Sequence, residues 1–115
     1  MKISESSLKH IFQQHPVARL ATINAESSVP HALPIVFVPL DKALWSPIDG
    51  KPKSTAKLKR LANIRAHPET CLLLDEYAED WQALWWLQVY CRAEVVTLDG
   101  HFLPRIHDVF LQKYP

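Results

Sequence analysis

No apolar run in this chain is longer than the nine residues of "ALPIVFVPL", and two prolines interrupt even that one. A stretch of this length cannot cross a bilayer, which takes about 20 apolar residues. Proline has no N–H for a hydrogen-bond ladder, so it keeps such a run out of the middle of a sheet. Short apolar segments divided by turn signals therefore predict short strands packed with amphipathic helices. The 115 residues are expected to form one domain that buries roughly two-thirds of its unfolded surface. Hydrophobic residues make up 48% of the chain, enough for a core and too many for disorder.

The pattern can be followed from end to end. "ESSLKHIFQQHP" places Leu8, Ile11 and Phe12 at helical spacing, and Pro16 ends it. "VARLATIN" reads as a strand and "AESSV" as a polar turn. "PHALPIVFVPL", with prolines at 30, 34 and 39, predicts an irregular or edge strand. A tight Leu40-Asp41-Lys42 turn then returns "DKALWSPI" as a hairpin partner. A helix is expected from about Ser54 to Ala66, capped by Ser54 or Thr55 and stopped by Pro68. Its buried stripe is expected to be Leu58, Leu61, Ala62 and the stem of Arg65. "ETCLLLDEY" is another strand, "AED" an acidic turn, and "WQALWWLQVYCRAEVVTL" a long strand or a pair. After the Asp99-Gly100 turn, "LPRIHDVFLQKYP" reads as a last helix with Pro104 in its first turn. Sequential strands with tight connections predict an antiparallel sheet, and a small barrel flanked by helices is the economical architecture.

Several function classes drop out. Gly50 and Gly100 are the only glycines, so neither a dinucleotide fingerprint nor a P-loop can be written here. Any phosphate site must use side chains and a helix amino terminus. A net charge of +1 argues against a dedicated nucleic-acid binder. The amino-terminal "MKISESSLKH" has no apolar stretch of the secretory kind, and Cys71 and Cys91 lack a CxxC partner. A soluble cytoplasmic protein with buried, reduced thiols is therefore expected, without membrane or nucleic-acid partners. The six histidines lack metal-ligand spacing, and no HExxH accompanies them. Asp75, Glu76, Glu79 and Asp80 border a polar turn and read as solvated. Ser27 and Ser28 have no strand-to-helix elbow around them, which argues against a serine hydrolase.

The basic run stands out. "GKPKSTAKLKR" carries five cations in eleven positions, and no acid follows until Glu69. Lys51 and Lys53 precede the helix, while Lys53, Lys57 and Arg60 fall at i, i+4 and i+7 on one face. Lys59 points elsewhere. A helix amino terminus already carries partial positive charge, so cations there are misplaced by a few tenths of a kcal/mol each. An anion at the N–H groups of Ser54, Thr55 and Ala56 would reverse that sign. A solvated basic face and an anion site both remain open on these grounds.

"ARLAT", "KPKSTAKLKRLANI", "HPETCLLLD" and "DWQALWW" together resemble the pyridoxamine 5′-phosphate oxidase-like flavin-binding split barrels. The similarity runs from about residue 8 to 115 and is greatest to the small branch thought to use the deazaflavin coenzyme F-420. It implies a homodimer with two cofactor clefts at the subunit interface. His31, Leu33, Pro34, Ile35 and Val36 would run beside the ring, largely through backbone groups. Trp45 and Ser46 would lie near the ring and its ribityl chain. Counting back from Asn63 to Pro68 puts the phosphate cation at Arg60, with Lys59 before it and Lys53, Ser54 and Lys57 as further ligands. Trp86, with Trp85 beside it, would reach the ring from the partner subunit. Two departures stand out: Cys91 replaces a usual glycine, and the closing strand that follows the "KYP" helix in relatives has no counterpart before Pro115. The expected fold is thus a mostly β, antiparallel split barrel with flanking helices, lacking its last strand and truncated at that end.

The resemblance implies an oxidoreductase that binds FMN or coenzyme F-420 and moves hydride between the ring and a small organic substrate, with no obligate catalytic acid or nucleophile. Both cofactors present a phosphate and a planar ring, so residue types leave the choice open. The alternative is a non-catalytic split-barrel module that holds a flavin, haem or another planar ligand.

Overall fold

The computed structural model describes residues 3–47, 55–97 and 100–115. Contacts divide the chain into two compact units: 1–17 with 36–47 and 97–115, and 18–35 with 48–96.

The first unit contains helix α1 (Glu5–Gln14), a hairpin of strands β3 (Val38–Leu40) and β4 (Ala43–Trp45), and helix α3 (Leu103–Lys113). Both helices pack against β3. Ser4 caps α1 by accepting the Ser7 N–H at 3.1 Å, and Glu5 adds negative charge to the first turn. Pro16 follows the last turn, as its sequence position predicts. Asp41 and Lys42 form the hairpin turn with φ of 51° and 62°, the left-handed pair that matches strand twist. The buried centre is Phe37, Val38 and Ile106, with Phe12 edge-on to Phe37 at 6.5 Å.

The second unit is a four-stranded antiparallel sheet with helix α2 (Thr55–Ala66) packed on one of its central strands, β1. The strands are β1 (Ala18–Ile23), β2 (Pro30–Ile35), β5 (Glu69–Glu76) and β6 (Trp85–Arg92). Their order is β2-β1-β5-β6, so β2 and β6 are the two edges. Register follows the alternation of side chains. Leu20 lies opposite Leu33 on one side and Leu72 on the other, and Leu74 opposite Leu87. Ala18, Leu20, Thr22, Ile35, Thr70, Leu72 and Leu74 thus share the buried face.

Three expectations change. "PHALPIVFVPL" is two strands rather than one: β2 ends at Ile35, and β3 begins at Val38 in a different sheet. Of the two readings of "WQALWWLQVYCRAEVVTL", the described residues hold a single strand, β6, and it starts only at Trp85 because Asp80 accepts the N–H of Gln82 and the carbonyl of Trp81 that of Leu84, which closes the preceding segment into turns. On α2 the buried residues are Asn63 and Ile64, whereas Ala62 and Arg65 are exposed and Leu61 is half-buried. The side chain of Asn63 explains the rotation: its Oδ1 accepts the Ala25 N–H at 2.9 Å, so a polar residue takes a core position. Leu58 lies outside the described side chains. Cys71 and Cys91 are half-buried rather than buried, and sit on opposite faces of the β5–β6 pair, since Cys91 is opposite Thr70 and Cys71 opposite Tyr90.

Candidate functional site

Among the described residues, edge strand β2 pairs with β1 alone, which leaves the N–H and C=O groups along its outer side without a ladder partner there. His31, Leu33 and Ile35 point to the buried face, and Pro34 to the other. His31 is exposed, Leu33 half-buried and Ile35 buried. Side chains that alternate in this way cannot line one ligand together, so a ligand running along β2 meets its backbone. Pro30 and Pro34 have no N–H to offer it. Opposite His31 stands Thr22, whose buried hydroxyl has no partner among the described residues. Val36, one residue beyond β2, is exposed and belongs to the first unit.

Trp45 also belongs to the first unit and is half-buried there. Its indole N–H donates to the Leu40 carbonyl at 2.9 Å, and its ring lies 5.0 Å from that of Phe102. Ser46 follows it, exposed.

Helix α2 carries Lys59, exposed, and Arg60, half-buried. Neither has an ion-pair partner among the described residues, and the first turn of α2 contains no acid. Lys57 is the third residue of that helix. Lys53 and Ser54, the other two expected phosphate ligands, lie outside the described residues.

Trp85 and Trp86 are adjacent on β6 and therefore point to opposite faces of the sheet. Trp85 is half-buried; Trp86 is 65% exposed and lies across from Asp75. Within the sheet, Trp86 is separated from β2 by two intervening strands, or about 14 Å at the usual spacing. The sheet itself therefore keeps the expected ring-side strand and the expected ring-side tryptophan apart. Gln88 and Tyr90 continue the Trp86 face, with the Tyr90 hydroxyl 3.3 Å from Gln88 Oε1 and Tyr90 80% exposed. The ion pairs Arg19–Asp75 and Arg92–Glu69 flank this face at 3.3 and 3.2 Å.

Ile64, Arg65, Pro68, Arg92, Ala93, Glu94 and Val95 surround a surface depression of about 380 Å³, which includes none of the expected cofactor ligands. Among the described residues, no group of three His, Cys, Asp or Glu side chains could share a metal ion. No helix of the described residues is long and apolar enough to cross a membrane.

Sequence reasoning missed a cluster at the carboxyl end. Lys113 Nζ donates to the carbonyls of Phe12 and Phe37, both at 2.8 Å, and lies 3.6 Å from the centre of the Phe37 ring. Burial lowers its pKa to about 8. The Tyr114 hydroxyl accepts the Phe37 N–H at 3.0 Å, and its single proton faces the carbonyls of Pro16 at 2.9 Å and Phe37 at 3.0 Å. Burial raises the Tyr114 pKa, and the hydrogen bond from the Phe37 backbone opposes that rise. Burial, and secondarily Cys71, raises that of Cys91. No spacing rule links Lys113 or Tyr114 to partners so distant in the chain, so no local signal announces them.

The residue pattern of the family described as pyridoxamine 5′-phosphate oxidase matches residues 5–110. Among solved structures, a conserved hypothetical protein from Mycobacterium tuberculosis superposes with a TM-score of 0.81 at 20% identity, covering 99% of this chain and 66% of that one. HutZ, the haem storage protein from Vibrio cholerae, superposes at 0.72 with 18% identity, covering 96% of this chain and 75% of its own. An FAD-binding protein from Mesorhizobium loti gives 0.65 at 23% identity, again over 96% and 75%. The chain thus spans about two-thirds of the length of the first of these proteins. At such identities the likeness is one of fold: among the described residues, antiparallel sheets with three helices, and a four-stranded sheet open at both edges. None of the curated proteins matches the chain.

Proposed function

The chain belongs to the pyridoxamine 5′-phosphate oxidase family, and on that premise we propose that it binds FMN or coenzyme F-420 and serves as a hydride-transferring oxidoreductase. The observation that carries the reading is Arg60, a half-buried cation without an ion-pair partner among the described residues, beside Lys59 on a helix whose first turn has no acid. A phosphate monoester or diester supplies the missing counter-charge. Arg60 would hold it through charge-assisted hydrogen bonds. The outer side of β2 suits a planar ring bearing amide-like groups, because unpaired backbone donors and acceptors lie along it. When bound, the ring supplies the hydride chemistry; the protein binds, orients and excludes water.

A homodimer belongs to the same proposal. Trp86 is largely exposed on the edge strand opposite β2, so a second copy is the natural source of an aromatic ring over a ligand held along β2. Tryptophan-fluorescence titration with FMN and with coenzyme F-420 tests the reading. Saturable quenching by one of them is expected, and Arg60→Ala should weaken it by about 10- to 100-fold, the range for a hydrogen bond to a charged group. Absence of quenching by either ligand would remove the reading.

The haem-storage protein of the same fold favours a second reading, a module that holds a planar ligand without turnover. Steady-state reduction of an acceptor by the reduced, loaded protein separates the two: turnover supports the enzyme, and a single stoichiometric oxidation supports the carrier.

A further inference from the structure

We propose that Asn63 is a positioning residue for the phosphate grip: its bond to the β1–β2 turn rotates α2 so that Arg60 joins the stripe packed on the sheet. The inference rests on the flavin reading above, in which Arg60 holds the phosphate. Every residue it uses lies in the second unit. Helical spacing puts Arg60, Asn63 and Ile64 on one stripe of α2, at i, i+3 and i+4. Asn63 and Ile64 are buried and Arg60 is half-buried, whereas Lys59, Ala62, Arg65 and Ala66 are exposed. At about 100° per residue, the stripe of Leu61, Ala62 and Arg65 lies on roughly the opposite side of the helix from Arg60. A helix packed on that stripe would place Arg60 in open solvent, where its charge is screened and its side chain unconstrained.

The turn to which the helix is fastened supports itself. Asn24 Oδ1 accepts the N–H groups of Glu26 and Ser27, both at 2.9 Å, and the Asn24 carbonyl accepts that of Ser28 at 3.2 Å. Val29 donates to Ser27 Oγ at 3.3 Å, and Asn24 to the Val29 carbonyl at 2.9 Å. Every N–H from Asn24 to Val29 is thus bonded within the turn, except that of Ala25. That one goes to Asn63 Oδ1 at 2.9 Å, across 38 positions of the chain. Asn63 is 3% exposed, so rotating α2 away would leave its amide oxygen buried and unpaired, which opposes the rotation. The bond therefore sets the facing of the whole helix, and Arg60 lies one turn before it on the same side.

The test is cofactor titration of the full chain and of Asn63→Ala, Ile64→Val, Arg60→Ala and the double variant of Asn63→Ala with Arg60→Ala. Two ligands are compared: whichever cofactor the parent chain takes, and the same ring and ribityl chain without the phosphate. Asn63→Ala should weaken the phosphate-bearing cofactor by about fivefold, the worth of one net hydrogen bond, and leave the phosphate-free ring unchanged. In the Arg60→Ala background the same substitution should cause no further loss, because Asn63 acts through that side chain. Ile64→Val trims a buried side chain of the same helix but keeps the bond, so it should lower stability and leave both affinities unchanged. If Asn63→Ala does not fold, the parent chain carries the test through amide exchange. The phosphate-bearing cofactor should then slow exchange at Ala25 more than the phosphate-free ring does at equal saturation, since coupling is reciprocal. Unchanged affinity in Asn63→Ala, equal losses for the two ligands, additive losses in the double variant, or equal protection of Ala25 by both ligands overturns the positioning role and leaves the flavin reading standing. A parent chain that binds neither cofactor overturns both.

Discussion

Thr22 is 2% exposed, and its hydroxyl has no partner among the described residues. An orphaned buried donor of this kind costs about 1–3 kcal/mol. Valine has nearly the same shape, so Thr22→Val should raise the unfolding free energy by about 1 kcal/mol, read from urea unfolding. A loss of stability would mean that the hydroxyl is bonded in solution. Lys113 and Tyr114 make a pH prediction with opposite signs. Burial lowers Lys113 to about 8, so the folded chain sheds that proton before the unfolded chain does. Stability should accordingly rise from about pH 8 towards the ordinary lysine range near 10.4. Tyr114 is raised, so the folded chain keeps its proton longer, and stability should fall above about pH 10. Thermal unfolding between pH 6 and 11 should peak between those limits, and Lys113→Met should flatten the rising arm.

At the scale of elements, the β3–β4 turn holds two non-glycine residues at positive φ, Asp41 and Lys42. Such a conformation costs a residue with a Cβ about 1–2 kcal/mol, and glycine avoids this at some entropic cost of its own. Lys42→Gly should therefore stabilise the chain by a few tenths to about 1 kcal/mol in chemical unfolding. The tight turn was legible from Leu40-Asp41-Lys42 because turn residues act locally. Helix α2 was legible in its extent but not in its facing. Helical spacing marks Leu61 and Ala62 as a stripe, yet the bond from Ala25 to Asn63 turns the helix so that Asn63 and Ile64 go inward. Strand β6 shows the same limit. Trp85 and Trp86 read as a pair in sequence, and the pleat sends them to opposite faces.

For the whole molecule, the binding reading makes an electrostatic prediction. If Arg60 and its neighbours hold a phosphate, affinity for FMN should fall as salt rises from about 50 to 500 mM, because exposed charges are screened over shorter distances. Riboflavin, the same ring without the phosphate, should bind more weakly and with little salt dependence. Equal salt curves for the two would remove the phosphate grip. Sedimentation equilibrium should return twice the chain mass, and Trp86→Lys should shift that towards the monomer. Read alone, the sequence determined the three helices' approximate extents, the Asp41-Lys42 turn and the unbalanced cations of α2, since periodicity, proline placement and local charge act over a few residues, but it ran β2 and β3 together. It also carried enough of its family's pattern to name the fold. Only the tertiary structure decided that β2 and β6 are opposite edges, that Asn63 is an anchor, and that Lys113 reaches Phe12 across 101 positions and Phe37 across 76. Contacts of that range arise from packing shared among several elements, and burial in that packing, rather than residue type, lowers the Lys113 pKa.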